Sequence, residues 1–510
     1  MAILVRAMQV LIDSAPWLVV GAFAASWMRN MVGRKSTRAI FGGTVGWKNV
    51  LFGWCWGMLL PVCSLGVIPV IREMHQAGVR GPALVAFAMS APLFNPLSVL
   101  FGLTLADPIA VIVFAFANLL TVSVIAAVVG ILMREDSSVI EAKSENFQMV
   151  NPGIFRSIAV IQDASTDLIG QNGLWVIIGI MMSATMSTLL PHGFLSSDME
   201  VTNSWAPMLM AVVMFSIYSG PLQVMGQVGS MFQHGNSVAA AFSLMIFGAG
   251  MNVGLFVSLW NLLGKRVVII FIAVALAVTI ALSFLVGNFL QPSDVIPLGH
   301  THAFDVYTNP WPEFSNSDWT HARSLIEQHY QGFDFGGGWI LFGLLLIGFG
   351  TRVANANGRL DTWLRKSRVE IRHRDIHLPQ NVLVILGVAG LISFSILGCF
   401  LYYPPKDKVL DDMKYFNTEA VSAAKTGEWD SAMKWILFQD DLARRLEVGI
   451  WLRERDVPDF LRIKGKIYRE YLDELRHEIE DQDLEHSKIT AMKAHTAFRR
   501  LYRAYSEDGN

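Results

Sequence analysis

Long apolar runs separated by short polar segments fill the first 403 residues, whereas from residue 404 apolar and charged positions mix at helical spacing. Crossing a hydrocarbon layer as a helix takes about 20 mostly apolar residues. Ten runs qualify, near 8–30, 49–71, 82–105, 108–133, 168–191, 206–230, 237–262, 267–290, 338–354 and 381–403. Ten spans return the chain to its starting side. The first run has no basic segment and small-residue cleavage site around it, so it reads as a retained helix. Pro404 and Pro405 close the last run, and Trp435, Phe438, Leu442 and Leu446 mark 404–510 as amphipathic helices of a soluble bundle.

Composition supports this reading. Charged residues make up 16% of the chain, against about 25% in ordinary soluble proteins. Of the 40 basic and 42 acidic residues, 41 lie beyond residue 403, so the rest is a charge-poor body suited to lipid. A net charge of −2 offers no basic footprint for nucleic acid, and three cysteines cannot build a disulfide framework or a four-thiolate zinc site. Basic residues in short loops set orientation. Arg29, Arg34, Lys35, Arg38 and Lys48, then Lys265 and Arg266, then seven basic residues from Arg352 to Arg374 all fall on one side in the ten-span count. That side should be the cytoplasm, leaving the N-terminus, the 291–337 loop and the tail outside a bacterial plasma (inner) membrane.

An internal repeat is visible. Trp17-Leu18-Val19-Val20-Gly21 has a counterpart in Trp175-Val176-Ile177-Ile178-Gly179, and Met74, Gln76, Gly78 and Asn95 recur 157 residues later as Met231, Gln233, Gly235 and Asn252. Polar residues and glycine at preserved spacing within apolar segments are hard to obtain by chance, and transporters are often built from duplicated halves. The expected architecture is all-α and integral to the membrane. A permease domain over 1–290 holds two four-helix repeats (about 8–133 and 168–290) with broken helices. An outward loop (291–337), two additional transmembrane helices (338–403) and the soluble helical region (404–510) follow. Loop charges make the halves parallel, whereas a re-entrant hairpin in each would make them inverted; both arrangements fit the pattern.

The candidate chemistry lies at the breaks. Pro61-Val62-Cys63-Ser64-Leu65-Gly66-Val67-Ile68-Pro69 and Ser90-Ala91-Pro92-Leu93-Phe94-Asn95-Pro96 each interrupt a span. Proline removes backbone donors, so carbonyls there must be satisfied by protein, water or a solute. The second half offers Tyr218-Ser219-Gly220-Pro221-Leu222-Gln223 and Gly248-Ala249-Gly250-Met251-Asn252 in the equivalent places, with glycine permitting unwinding. Paired broken helices mark a binding site near the bilayer midplane. The expected substrate-binding residues are Cys63, Ser64, Gly66, Pro69, Ser90, Pro92, Asn95, Gly220, Gln223 and Asn252. The competing reading is a set of packed kinks whose asparagines bond neighbouring helices.

The block from Pro61 to Asn95-Pro96 resembles the predicted permease family that includes YraQ-like proteins and the organoarsenical efflux permeases. The resemblance covers about residues 8–290 and implies an eight-helix, two-repeat inner-membrane permease, in some members exporting trivalent methylated arsenic through motif cysteines. Where that motif reads Cys-Ser-Cys-Gly, this chain has Leu65 in place of the second cysteine. Cys55, eight residues before Cys63, would sit about 80° around a continuous helix, so no paired-thiol site is expected.

Gly299-His300-Thr301-His302-Ala303-Phe304-Asp305 is a second candidate, with His321 and His329 following. Alternate residues of an extended strand share a face, which would let His300, His302 and Asp305 hold a divalent metal such as Zn²⁺ or Cu²⁺ outside the membrane. Intramembrane carboxylates are nearly absent, with Asp13 and Asp107 near span ends, and no Walker A sequence occurs. The reading that follows is a non-enzymatic permease exporting a small molecule or ion, contacting lipid, with a tail able to bind a protein partner. The alternatives are a membrane enzyme centred on Cys63 or a metal-linked receptor using the His300/His302 loop. A reporter active only outside the cytoplasm should work when fused after Ser317 or at Asn510 and be silent near Arg368. Activity near Arg368 would reverse the orientation.

Overall fold

In the computed structural model, residues 1–42, 47–105, 108–133, 154–191, 193–291, 302–310, 319–327, 329, 332–355, 363–364 and 380–507 are described, and no strand occurs among them. The protein is an all-α, multi-pass membrane protein. Its first half comprises α1 (Ala2–Trp27, prolonged by a π-turn at Met28–Val32), α2 (Arg34–Gly42), α3 (Trp47–Leu59), α4 (Val67–Gln76), α5 (Gly81–Leu93), α6 (Pro96–Leu105) and α7 (Pro108–Leu132). The second half comprises α8 (Ile154–Ile169), α9 (Gln171–Leu189), α10 (Phe194–Asp198), α11 (Ala206–Ser216), α12 (Pro221–Gln233), α13 (Val238–Leu244, running into a π-turn at Met245–Ala249), α14 (Val253–Leu263) and α15 (Lys265–Leu290).

Local sequence explains where these helices stop. Pro61 follows α3, Pro96 opens α6 and Pro221 opens α12. A proline lacks the donor that continues a helix and pushes the residue before it out of the helical region, yet it suits a first turn. The α13–α14 break has no proline; there Asn252 turns to extended backbone at φ −161° and ψ 165°. The bends are 44° between α5 and α6 and 60° between α13 and α14.

The path of the chain departs from ten spans. Arg29, in the π-turn that prolongs α1, and Arg34, at the start of α2, reach Glu73 in α4 at 2.8 and 3.3 Å, and Arg34 donates to Gln76 at 2.6 Å. The α3–α4 pair therefore returns to the end of the molecule from which it entered. At the opposite end the Ser237 amide, just past α12, donates to the Met199 carbonyl, ahead of α11, at 2.9 Å. The α11–α12 pair is thus a second re-entrant hairpin, entering from the other side. Among the described residues six helices are long and apolar enough to cross a membrane, and up to eight spans result when each bent pair counts as one. Hydropathy misses the difference because two half-helices in series have the length and apolarity of a single span.

Each hairpin removes one crossing, so the halves run in opposite directions. Gly81, Pro96 and Pro108 open helices whose counterparts open at Val238, Val253 and Lys265, each 157 residues later. Side assignments between the hairpins reverse relative to ten spans, whereas the end of α1, the α14–α15 junction and Arg352 remain on one common end. Arg80 joins this basic end, while no Lys or Arg occurs from 191 to 236 on the other.

Beyond the halves lie α16 (Trp319–Glu327), α17 (Gly332–Ala354) and α18 (Gln380–Tyr402). Gly337 of α17 abuts Pro16, and Gly348 abuts the Ser165 carbonyl of α8, so α17 crosses beside α1. Helices α19 (Lys406–Thr426), α20 (Trp429–Glu454), α21 (Asp459–Glu480) and α22 (Leu484–Glu507) form a bundle with its own core, including Met413, Ile436, Leu446, Tyr468 and Phe498. The bundle is docked to the membrane body. Arg453 donates to the Tyr403 carbonyl at 2.9 Å, the Arg445 guanidinium lies 4.1 Å from the centre of the Tyr402 ring, and Asp473 pairs with His234 beyond α12 at 3.3 Å.

Cysteines introduced at Lys35 and Arg80 should react with an impermeant maleimide from the same side, and one at Glu200 from the other. Opposite-side labelling at Lys35 and Arg80 would restore α3–α4 as a full span.

Candidate functional site

The four breaks, at 60–66, 94–95, 217–220 and 250–252, meet in the interior. Tyr218 of the third lies beside Cys63 of the first. Leu65 of the first and Asn252 of the fourth both lie against Gly179 of α9, where an added Cβ would stand 2.7 and 3.1 Å from them. Gly250 of the fourth contacts Leu93 at the end of α5, and the Ser219 amide of the third donates to the Gly248 carbonyl at 3.3 Å. None of the break segments carries a carboxylate, lysine, arginine or histidine.

Close backbone approach holds them together. A Cβ on Gly21 would collide with the Gly66 carbonyl oxygen, and one on Gly66 would collide with the Trp17 carbonyl oxygen. In the second half Gly254 meets the Trp175 carbonyl in the same manner, against Gly179. The repeated Trp-x-x-x-Gly segments are therefore docking surfaces for breaks, although they dock unequal ones: the first break in one half, the start of α14 in the other.

Asn95 and Asn252 hold equivalent posts. The Asn95 Oδ1 accepts the Ser98 amide at 3.0 Å and the Asn252 Oδ1 accepts the Leu255 amide at 2.9 Å, so each caps the half-helix that follows. Both residues are fully buried, and each Nδ2 finds no acceptor among the described residues. Ser64 Oγ is in the same position, and Tyr218 Oη makes no well-formed hydrogen bond. An amide kept for capping alone would leave two donors in an apolar interior, at a cost of about 1–3 kcal/mol each.

The other expected residues divide in two. Cys63 Sγ accepts the Gly66 amide at 3.3 Å and so helps start α4; Gly220 and Gln223 form the first turn of α12, with the Gly220 amide donating to Gln223 Oε1 at 3.4 Å. Ser90 is turned back onto the Phe87 carbonyl at 3.4 Å, Pro92 lies in the last turn of α5 and Pro69 in the first turn of α4. The three cysteines are unbridged and Cys55 is exposed; the break after Leu59 means that the single-helix angle between Cys55 and Cys63 does not apply. Of the loop candidates, His300 lies outside the described residues, as do the side chains of His302 and Asp305. The backbone from His302 to Tyr307 is a 3-10 turn, not the extended strand on which their pairing was argued. Among the described residues no three His, Cys, Asp or Glu side chains cluster as metal ligands.

Two polar groups escaped sequence reading. Glu73, in an apparent loop, is 1% exposed and carries two arginines, while Arg29 also reaches Asp167 at 2.9 Å and Asp163 at 3.5 Å. Burial pushes the Asp167 carboxyl up, against the opposing pull of Arg29. Secondly, Arg6, Gln9 and Asp13 form a polar stripe on α1; their spacing of three and four residues was a legible signal of one helical face. They line, with Ser183, Tyr218, Gln223, Tyr307 and His329, a polar cavity of about 20 Å³ beside the third break, room for about one water.

The model of a family described as "Predicted permease" matches residues 2–288. The UPF0718 protein YcgR of Bacillus subtilis (strain 168) is 26% identical over 286 residues, covering 54% of this chain and 94% of that protein. No solved structure matches.

Asn95→Ala and Asn252→Ala should each lower unfolding stability in detergent by about 1 kcal/mol, the worth of a cap. Asn→Ser at either site retains a capping oxygen and should fall within roughly 0.5 kcal/mol of the parent. Equal losses for Ala and Ser would mean that the amide NH₂ is a structural contact.

Proposed function

The chain belongs to this predicted permease family, and from that premise we propose that it exports a small solute through the pocket where the four breaks meet. It is a membrane transporter; the solute, direction and path are the proposal. The observation that carries it is the pair Asn95 and Asn252, each spending its oxygen on a cap and holding an unused, buried amide NH₂ at equivalent points of two opposed halves. With the hydroxyls of Ser64 and Tyr218 they supply donors without a formal charge, which fits a small solute bearing hydrogen-bond acceptors. Duplicated halves of opposite direction, each with a re-entrant hairpin and a bent span, suit alternating access by rocking about such a site.

The basic end is assigned to the cytoplasm, which puts the tail, the 302–310 turn and α16 outside the inner membrane of a bacterium. Export follows the resemblance to efflux permeases. Cys63 contacts the solute as a lone thiol, since position 65 is leucine.

Efflux from loaded vesicles, compared with empty ones, tests the pocket. Asn95→Ser and Asn252→Ser should each reduce flux of the transported solute by roughly 10²-fold while the protein stays inserted, as loss of a buried partner to a bound group of about 3 kcal/mol allows. Cys63→Ser should weaken flux without abolishing it. Undiminished flux in both asparagine variants would overturn the pocket.

A further inference from the structure

The family match ends at residue 288, yet a turn beyond it reaches the interior of the permease halves. Residues 302–310 lie across α9, α10 and α12 on the tail side, with Phe304 and Tyr307 fully buried. The Tyr307 hydroxyl bonds both Ser219 Oγ, in the third break, and Gln227 Oε1 on α12. Ser219 Oγ also lies 3.1 Å from Gln223 Oε1, so its one hydrogen is shared between that oxygen and the Tyr307 hydroxyl. Among the described residues both partners of the Tyr307 hydroxyl are thus on the second re-entrant hairpin.

The turn is held at its margins. Asn309 bonds the C-terminal end of α9, its amide donating to the Leu190 carbonyl at 2.9 Å and its side chain to the Thr188 carbonyl at 3.3 Å. On α1, Arg6 donates to the Thr308 carbonyl at 3.1 Å, Gln9 to the Leu325 carbonyl at 2.9 Å, and Asp13 meets His329 Nδ1 at 2.7 Å. Each residue of the polar stripe of α1 thus has a partner in the extension.

Comparison of the halves sharpens this. The positions 157 residues before Ser219 and Gln227 are Val62 and Val70, which are apolar and buried. Polarity at these two positions is therefore confined to the half that receives Tyr307. Tyr307 lines, with Tyr218 and Asp13, a cavity of about 20 Å³, room for about one water, so the seated phenol occupies the tail-side approach to the breaks.

We propose that Tyr307 is the tail-side gate of the transport path: the turn carrying it closes the approach to the breaks and must lift for solute to pass between the pocket and that side. The proposal rests on reading the breaks as the transport pocket. Hydrogen bonds to the hairpin make closure reversible, and the α1 stripe keeps the turn tethered while the phenol leaves.

Native Cys63, beside Tyr218, reports access. In full-length protein in sealed vesicles, with Cys55→Ser and Cys399→Ser, an impermeant methanethiosulfonate applied from the tail side should modify Cys63 slowly. Tyr307→Ala should raise that rate by roughly tenfold or more, the opening expected from losing two buried hydrogen bonds and the ring. Asn309→Ala, which loosens the tether without emptying the approach, should raise it less. An unchanged rate in Tyr307→Ala overturns the gate, and so does an equal increase when the reagent is applied from the basic side. The pocket is judged separately by the flux of the asparagine variants: blocked flux there with unchanged Cys63 access would remove the gate alone, whereas normal flux would remove the pocket and with it the gate that rests on it.

Discussion

A helix interrupted inside an apolar layer frees backbone donors and acceptors that no water can reach, and the architecture follows from satisfying them. Each unpaired group costs several kcal/mol in such a medium. The protein meets the cost locally. Asn95 and Asn252 cap their helices, Cys63 Sγ accepts the Gly66 amide, Ser183 Oγ accepts the Tyr218 amide at 2.9 Å, and the Gly248 carbonyl accepts Ser219. Glycines let α1 and α9 come close enough to shield the unwound backbone. The groups left over at the breaks are the two amide NH₂ groups and the hydroxyls of Ser64 and Tyr218.

Hairpins that do not cross must also be anchored at the end they return to. For α3–α4 that anchor is Glu73, buried beneath Arg29 and Arg34, with Asp163 and Asp167 bringing α8 into the same cluster. Taking such charges out of water is expensive, so their contribution is better understood as fixing where the hairpin ends than as net stability. The second hairpin is anchored differently, by backbone bonds near Met199 and by the pairing of His234 with Asp473 of the tail. The two ends of an opposed pair thus carry unlike fastenings, one ionic and basic, the other shared with the extension.

That sharing gives the extension a structural role. Helices α17 and α18 pack beside the halves, and the tail bundle sits on the end where Tyr307 enters, joined through Arg445, Arg453 and Lys434, the last reaching Glu327 of α16 at 3.6 Å. The bundle is thus fastened at several points to the tail side of the membrane body.

Much was settled by the sequence alone. Apolar runs determined an all-α membrane protein, prolines at 61, 96 and 221 located three breaks, the offset of 157 paired the halves, and Asn95 and Asn252 stood out as equivalent polar residues. These are local or periodic properties, carried by composition and spacing. Tertiary structure decided which apolar runs cross and which turn back, because a hairpin and a span have the same hydropathy and differ only in where the far end finds its partners. It decided that Glu73 is interior, since its arginines lie 39 and 44 residues away. And it brought Tyr307 onto Ser219, 88 residues distant, a contact that depends on the path of the chain around α15 and leaves no trace in the pattern of either segment.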